Sequence, residues 1–393
     1  MDTEIRTQVD RLLLEQGEYL PLELLLTEGR LDYADYEAWR GGEAGLLEER
    51  LFGDADQIKR DLLEAAAYAK ELRLEPETLD YEVWGGGGTL RFSRAEMLDA
   101  LFRTAYRRPA DAPQTDLFMD SPGTALVNDI VQALGRRDLE TAQRQLQQLY
   151  RSDPGNTRLG GLERLLEAAQ AVDTEVGEPA AELARLRDPI QPLAEELLGR
   201  HARAYLLPLW RRLHQALAGQ PFDPGQPDLH RSHTAGRMLD WKAQLAAVEA
   251  EPQWREQPLL LQRHAAANLR LRDPRQALAD LFRLCWRFPQ QAASPAAEWP
   301  VDTQQAWERF QELDPELETA AFPAWLLIIR PGLADTMAKP SDDAPESYRL
   351  LYRLQREQAG NAGSPGAVEV RLRGELKQLD PAMFRHYLAN RGA

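Results

Sequence analysis

The sequence predicts an all-α protein: a small acidic helical amino-terminal domain with one β-hairpin, followed by an array of α-helical repeats. Three observations predict it. Apolar residues recur at helical spacing through most of the 393 residues. The stretch from Asp138 to Pro154, DLETAQRQLQQLYRSDP, has a counterpart 135 positions later, DPRQALADLFRLCWRFP from Asp273 to Pro289. That offset is close to four periods of about 34 residues. Charge is also uneven. Residues 1–120 hold 27 acidic against 14 basic side chains, whereas the remainder holds 36 against 33, so the front carries most of the net −16.

The elements follow in order. Ile5, Val9, Leu12 and Leu13 mark a first helix, and Leu22 to Leu26 a second that stops at Gly29. Asp32 caps a third helix carrying Tyr33, Tyr36 and Trp39, ended by Gly41-Gly42. Asp54 or Asp56 opens a longer one through Ile58, Leu62 and Ala66. Tyr81–Trp84 and Thr89–Ser93 flank Gly85 to Gly88 and read as the hairpin. Ser93 is expected to cap the next helix, through Met97 and Phe102. Pro109, Pro113 and Pro122 punctuate a linker at 107–122, so the first domain is 1–106. Helices are then expected at 123–135, 138–151, 157–172, 178–187, 190–218, 233–249, 256–271 and 274–288, with a Pro- and Gly-rich loop at 219–232. This array occupies 123–290. Shorter helices fill a carboxy-terminal region at 302–393, interrupted by AGNAGSPG at 359–366.

Within the two copies, Ala142 aligns with Ala277, Leu146 with Leu281 and Pro154 with Pro289. A small contact residue suits any close antiparallel helix pair. In the tetratricopeptide family a larger apolar residue follows four positions on, and a proline ends the unit twelve positions after the small one. Units 123–156 and 258–291 therefore resemble tetratricopeptide repeats. Leu261 and Ala265 also fit the first helix of that family, whereas Leu126 followed by Ile130 departs from it. The resemblance implies stacked helix pairs with a groove that binds a protein or peptide.

Composition excludes several classes. An acidic chain lacks the basic footprint of a nucleic-acid binder. The strongest apolar run, Phe322 to Ile329, is too short for a membrane span and contains Pro323. A single cysteine, Cys285, on an apolar helical pattern fits a reducing compartment, so a cytoplasmic location is expected.

Chemistry-bearing candidates are few. The glycine run joins two β-like segments, with no following Lys-Ser/Thr pair, so it reads as a turn and not a phosphate cradle. Asp32 to Glu43 has the length of a calcium loop, but Ala34, Tyr36 and Glu37 stand where ligands and the turn glycine belong. His230 and His233, beside Asp228 in a loop where solvated side chains are expected, could supply part of a zinc set, although the spacing lacks the usual helical motif. His201, His214, His264 and His386 sit singly on helical patterns. No catalytic constellation and no cofactor motif emerges. Two readings stand: a non-enzymatic adaptor or scaffold that binds a protein or peptide through a repeat groove, or a metal-dependent hydrolase centred on His230 and His233.

Overall fold

The computed structural model describes residues 3–84, 88–107, 122–293, 299–360 and 366–391. Apart from its two ends, the expected linker at 107–122 lies outside these residues, as do Gly85, Gly86, Gly87 and most of 359–366. The protein is all-α with one small antiparallel sheet, and its many helices are compatible with a helical-repeat array. It divides into two compact units, Met1–Asp240 and Trp241–Ala393.

The first unit begins with α1 (Thr3–Gln16), α2 (Pro21–Thr27), α3 (Tyr33–Arg40), α4 (Ala55–Glu71) and α5 (Glu96–Phe102). Asp54 caps α4 by accepting the Gln57 amide at 2.7 Å. Trp39, Tyr81, Phe92 and Phe102 form the aromatic centre of this part, with Phe92 and Phe102 stacked 4.0 Å apart. The hairpin pairs Glu82 with Thr89, and its outer bond runs from the Leu90 amide to the Tyr81 carbonyl at 2.7 Å. The cap expected at Ser93 falls two residues early. The Ser93 hydroxyl accepts the Ala95 amide, while Asp99 reaches back to accept the Phe92 and Ser93 amides. A three-stranded sheet joins β1 (Glu18–Tyr19), β2 (Glu75–Thr78) and β3 (Thr104–Arg107) in the order β1-β3-β2. Pro76 is tolerated because β2 is an edge strand.

The unit continues with α6 (Pro122–Arg136), α7 (Leu139–Ser152), α8 (Leu159–Gln170), α9 (Pro179–Arg185), α10 (Gln191–Leu198), α11 (Ala202–Ala216) and α12 (Arg231–Arg237) around a second core. The single helix expected at 190–218 breaks at Gly199, whose φ of 51° favours glycine. The one expected at 233–249 breaks at Leu239, also left-handed at φ 59°.

That second break matters, because a left-handed residue followed by an aspartate closes a helix three times among the described residues. Arg137, Leu239 and Arg272 have φ of 60°, 59° and 63°, and each is followed by an aspartate. The amides of Asp138, Asp240 and Asp273 bond back to the carbonyls of Ala133, Ala235 and Asn268 at 2.9, 3.0 and 2.8 Å. These bonds close the preceding helix in a left-handed C-terminal motif. Asp138 and Asp273 then cap the following helix through the Thr141 and Gln276 amides. Asp240 stands one repeat length, about 34 residues, ahead of Asp273.

The second unit holds α13 (Trp241–Glu249), α14 (Pro258–Arg270), α15 (Pro274–Arg287), α16 (Pro289–Ala292), α17 (Val301–Gln311), α18 (Phe322–Ile329), α19 (Leu333–Thr336), α20 (Glu346–Gly360), α21 (Ala367–Leu379) and α22 (Pro381–Arg391). Helices α13, α14 and α15 pack consecutively. The apolar run at α18 is buried from Phe322 through Ile328, enclosed by α15, α17, α20 and α22. A helix that is apolar on every face demands such a central position. No helix among the described residues is long and apolar enough to cross a membrane.

Candidate functional site

Four of the six residues expected to pack the repeats are buried. Ala142 and Ala277 are fully buried on α7 and α15, and Leu146 and Leu281 are buried one turn later. Pro154 lies in the exposed turn after α7, and Pro289 opens α16. Cys285 is buried on α15, and burial pushes its thiol well above the ordinary range.

The histidines of the 219–233 region are packed, unlike the solvated residues expected there. His230 is 2% exposed; its Nδ1 accepts the Ser232 amide at the start of α12, and its ring meets Phe222 edge-on. His233 lies 3.2 Å from Asp228 and packs edge-on against Trp210. Among the described residues, no group of three His, Cys, Asp or Glu side chains is placed to hold a metal ion. His214 is also buried, its Nε2 accepting from Arg231 at 2.8 Å.

His264, on α14, sits in a sealed polar contact. Its Nδ1–H donates to Asp280 of α15 at 2.5 Å, its Nε2–H faces Glu249 of α13 at 3.3 Å, and its ring lies 4.3 Å from that of Trp254. Burial pushes the imidazolium down. The hydrogen bond and charge of Asp280, reinforced by Glu249, outweigh that and hold His264 above the ordinary imidazole range.

The largest concentration of polar groups lies in the first unit, where the amino-terminal part meets α6 and α11. Glu18 of β1 is buried and is held by Arg107 at 2.6 Å and by Arg136 of α6. Glu23 of α2 pairs with Arg200, and Glu37 of α3 with Arg203 at 2.7 Å. His201 stands against Gly135; a Cβ there would lie 2.9 Å from the imidazole, so only glycine allows this approach. Burial, then the Arg200 charge, lowers the His201 pKa to about 4, leaving a neutral ring whose Nε2 accepts from Arg200 at 3.3 Å. Burial raises Glu23 despite Arg200.

This seam borders a cavity of about 280 Å³ that is partly open to the surface. Arg40 forms one wall, its guanidinium 5.0, 5.5 and 5.9 Å from the ring centroids of Trp84, Tyr81 and Tyr36. It donates to the Tyr36 hydroxyl at 2.9 Å and to the Glu82 carbonyl at 3.2 Å. A neighbouring open groove of about 410 Å³ runs along α11, with Arg203, Leu206 and Trp210 on its floor and Arg237 on its flank. Arg203 lies 5.3 Å over Trp84, and Arg237 lies 5.2 Å over Trp210.

The sequence pattern did not reveal these groups. Arg40, Trp84, Gln132, Arg136, Arg200 and His201 come from segments up to 161 positions apart, with no shared local motif. Compared with family models, with curated proteins and with solved structures, the chain finds no match in any of the three.

Proposed function

We propose that the chain is a non-enzymatic adaptor of tetratricopeptide-like architecture whose groove along α11 takes a peptide segment of a protein partner. The supporting observation is the groove along α11, where Leu206 and Trp210 are buried beneath the surface and Leu207 and Leu239 are half-buried among the lining residues. Arg203, Leu206 and Trp210 follow helical spacing along an unfilled groove, flanked by Arg237. Among the described residues Arg237 donates to Gln191 and covers the Trp210 ring, with no carboxylate at ion-pair distance. The groove carries Glu37 and Glu195 as well as Arg203 and Arg237, and Arg203 is paired with Glu37. The fitting occupant is therefore a peptide that places a carboxylate on Arg237 and apolar side chains against the half-buried Leu207 and Leu239. The hydrolase reading is less well supported, because His230 is committed to the start of α12 and His233 to Asp228 and Trp210.

Peptide display against the full chain tests this. The expected selection is short peptides with an acidic residue beside apolar ones. Their affinity should fall at least tenfold in Arg237→Glu, in line with about 1.5–3 kcal/mol for a charge-assisted hydrogen bond. It should be unchanged in Arg94→Ala, an exposed control. Selected peptides that bind Arg237→Glu and Trp210→Ala as tightly as the parent would place the site elsewhere.

A further inference from the structure

The cavity behind Arg40 is a distinct feature from the α11 groove, and its walls are incompletely satisfied. Trp84 is 3% exposed, and its Nε1–H has no hydrogen-bond acceptor among the described residues. Gln132 of α6, also lining the cavity, has a buried Oε1 with no donor among the described residues. Buried polar atoms left in this state cost free energy, so native structures pair nearly all of them with protein, water or ligand. Both residues border the same cavity, so an occupant that accepts from Trp84 and donates to Gln132 would satisfy both atoms once their side chains turn toward it.

The charge of the walls narrows the class. Four arginines and three carboxylates line the space. Glu18 is held by Arg107 and Arg136, Glu23 by Arg200, and Asp80 by Arg103 from outside the cavity. Arg40 alone among the lining arginines has no carboxylate within ion-pair distance among the described residues. The aromatic rings around it would suit a cationic ligand in its absence. Arg40 already fills that place, so the vacant partner is an anion. One surplus positive charge matches a carboxylate better than a phosphate dianion.

We propose that this cavity binds a small hydroxycarboxylate, with its carboxylate on the Arg40 guanidinium, an oxygen accepting from Trp84 Nε1–H, and its hydroxyl donating to Gln132 Oε1. The volume, at the lower end for ligand pockets, admits a metabolite-sized acid and not a peptide. Such a ligand would bridge α3 and α6, the two parts of the first unit.

Glycolate, malate, 4-hydroxybenzoate, benzoate and inorganic phosphate can each be titrated into the full chain, with calorimetry and the indole N–H resonances as readouts. Trp84→Phe assigns the Trp84 signal. The expected result is saturable binding of at least one hydroxy acid at one per chain, with the Trp84 N–H signal moving downfield. Benzoate and phosphate should bind at least several-fold more weakly. Arg40→Met should weaken binding at least tenfold, and Gln132→Leu several-fold for hydroxy acids only. If Arg40→Met fails to fold, Trp84→Phe and Gln132→Leu still read the two other contacts. No shift of the Trp84 signal with any acid means a water-filled cavity and overturns the proposal. So does binding that is unchanged in Trp84→Phe and Gln132→Leu, while preferential binding of phosphate overturns the carboxylate assignment. Arg237→Glu should leave acid binding intact, which separates this outcome from failure of the peptide groove.

Discussion

Replacing Asp280 with alanine removes the sealed partner of His264 and should measurably weaken the α13–α14–α15 stack. The Asp280 side chain is 5% exposed and that of His264 is 3%, so water does not replace the lost contact. Glu249, at 3.3 Å, has a side chain 60% exposed and is a solvated partner worth at most about 1 kcal/mol. Breaking a buried pair by removing one member costs about 3–5 kcal/mol. The lower end applies here, because the imidazole can give up its proton when Asp280 is gone. For a unit of this size, about 3 kcal/mol corresponds to roughly 6–12 °C in Tm. His264→Leu with Asp280→Leu should recover most of the loss, since an apolar pair of similar volume carries no desolvation cost. The pH dependence has a definite sign. A histidine whose folded pKa is raised stabilises fully below the ordinary imidazole value of about 6.5, and that stabilisation is lost as pH rises through the folded value. The wild-type chain should therefore lose stability over that window, and Asp280→Ala should be flatter there. Thermal and urea melts at pH 5.5 to 8.5, with hydrogen exchange across 241–287, supply the measurement. A loss below about 1 kcal/mol, with an unchanged pH profile, would refute the reasoning.

Two further outcomes follow from the repeated turns. Arg137 and Arg272 hold left-handed backbone that costs an L-residue roughly 1–2 kcal/mol. Arg272→Gly should raise the urea midpoint by an amount equivalent to about 0.5–1 kcal/mol after the entropy cost of glycine, and a lowered midpoint would mean that the Arg272 side chain stabilises more than its backbone strains. Ala142→Phe and Ala277→Phe place a ring where no solvent-exposed space exists. Each should cost about 1–3 kcal/mol in chemical denaturation, and unchanged stability would show that these contacts can open.

The two helix pairs α6–α7 and α14–α15 were legible because their signals are local. Ala142 and Ala277, with their aspartate caps, stand at fixed offsets inside helices of matching length. The third turn was hidden because Leu239 occupies a left-handed position that usually favours glycine or asparagine, and the apolar pair Met238-Leu239 preserves helical spacing through the break. The small sheet escaped for another reason. Glu18–Tyr19 is too short to show alternation, and the exposed Glu75–Thr78 contains a proline. His264 looked like an isolated histidine because its partners come from the preceding and following helices, fifteen and sixteen positions away. The cavity residues lie at still greater separations. A cavity is a property of how elements meet, and periodicity within each element carries no record of it.

The acidity of the amino-terminal part has an internal use. Glu18 and Glu23 are buried and Glu37 is partly exposed; each meets an arginine from α6 or from the segment beginning α11. Charge asymmetry along the sequence thus becomes charge complementarity within the first unit. Buried ion pairs of this kind contribute little net stability, because desolvation offsets much of their attraction, but they fix orientation. They also explain why a cavity exists at this seam. Guanidinium and carboxylate groups meet at hydrogen-bond distances in fixed planes and do not interdigitate as aliphatic side chains do. The elements are held together at the ion pairs and remain apart beside them. In the space left over, Arg40 is a cation for which the described residues supply rings, a hydroxyl and a carbonyl but no carboxylate at ion-pair distance.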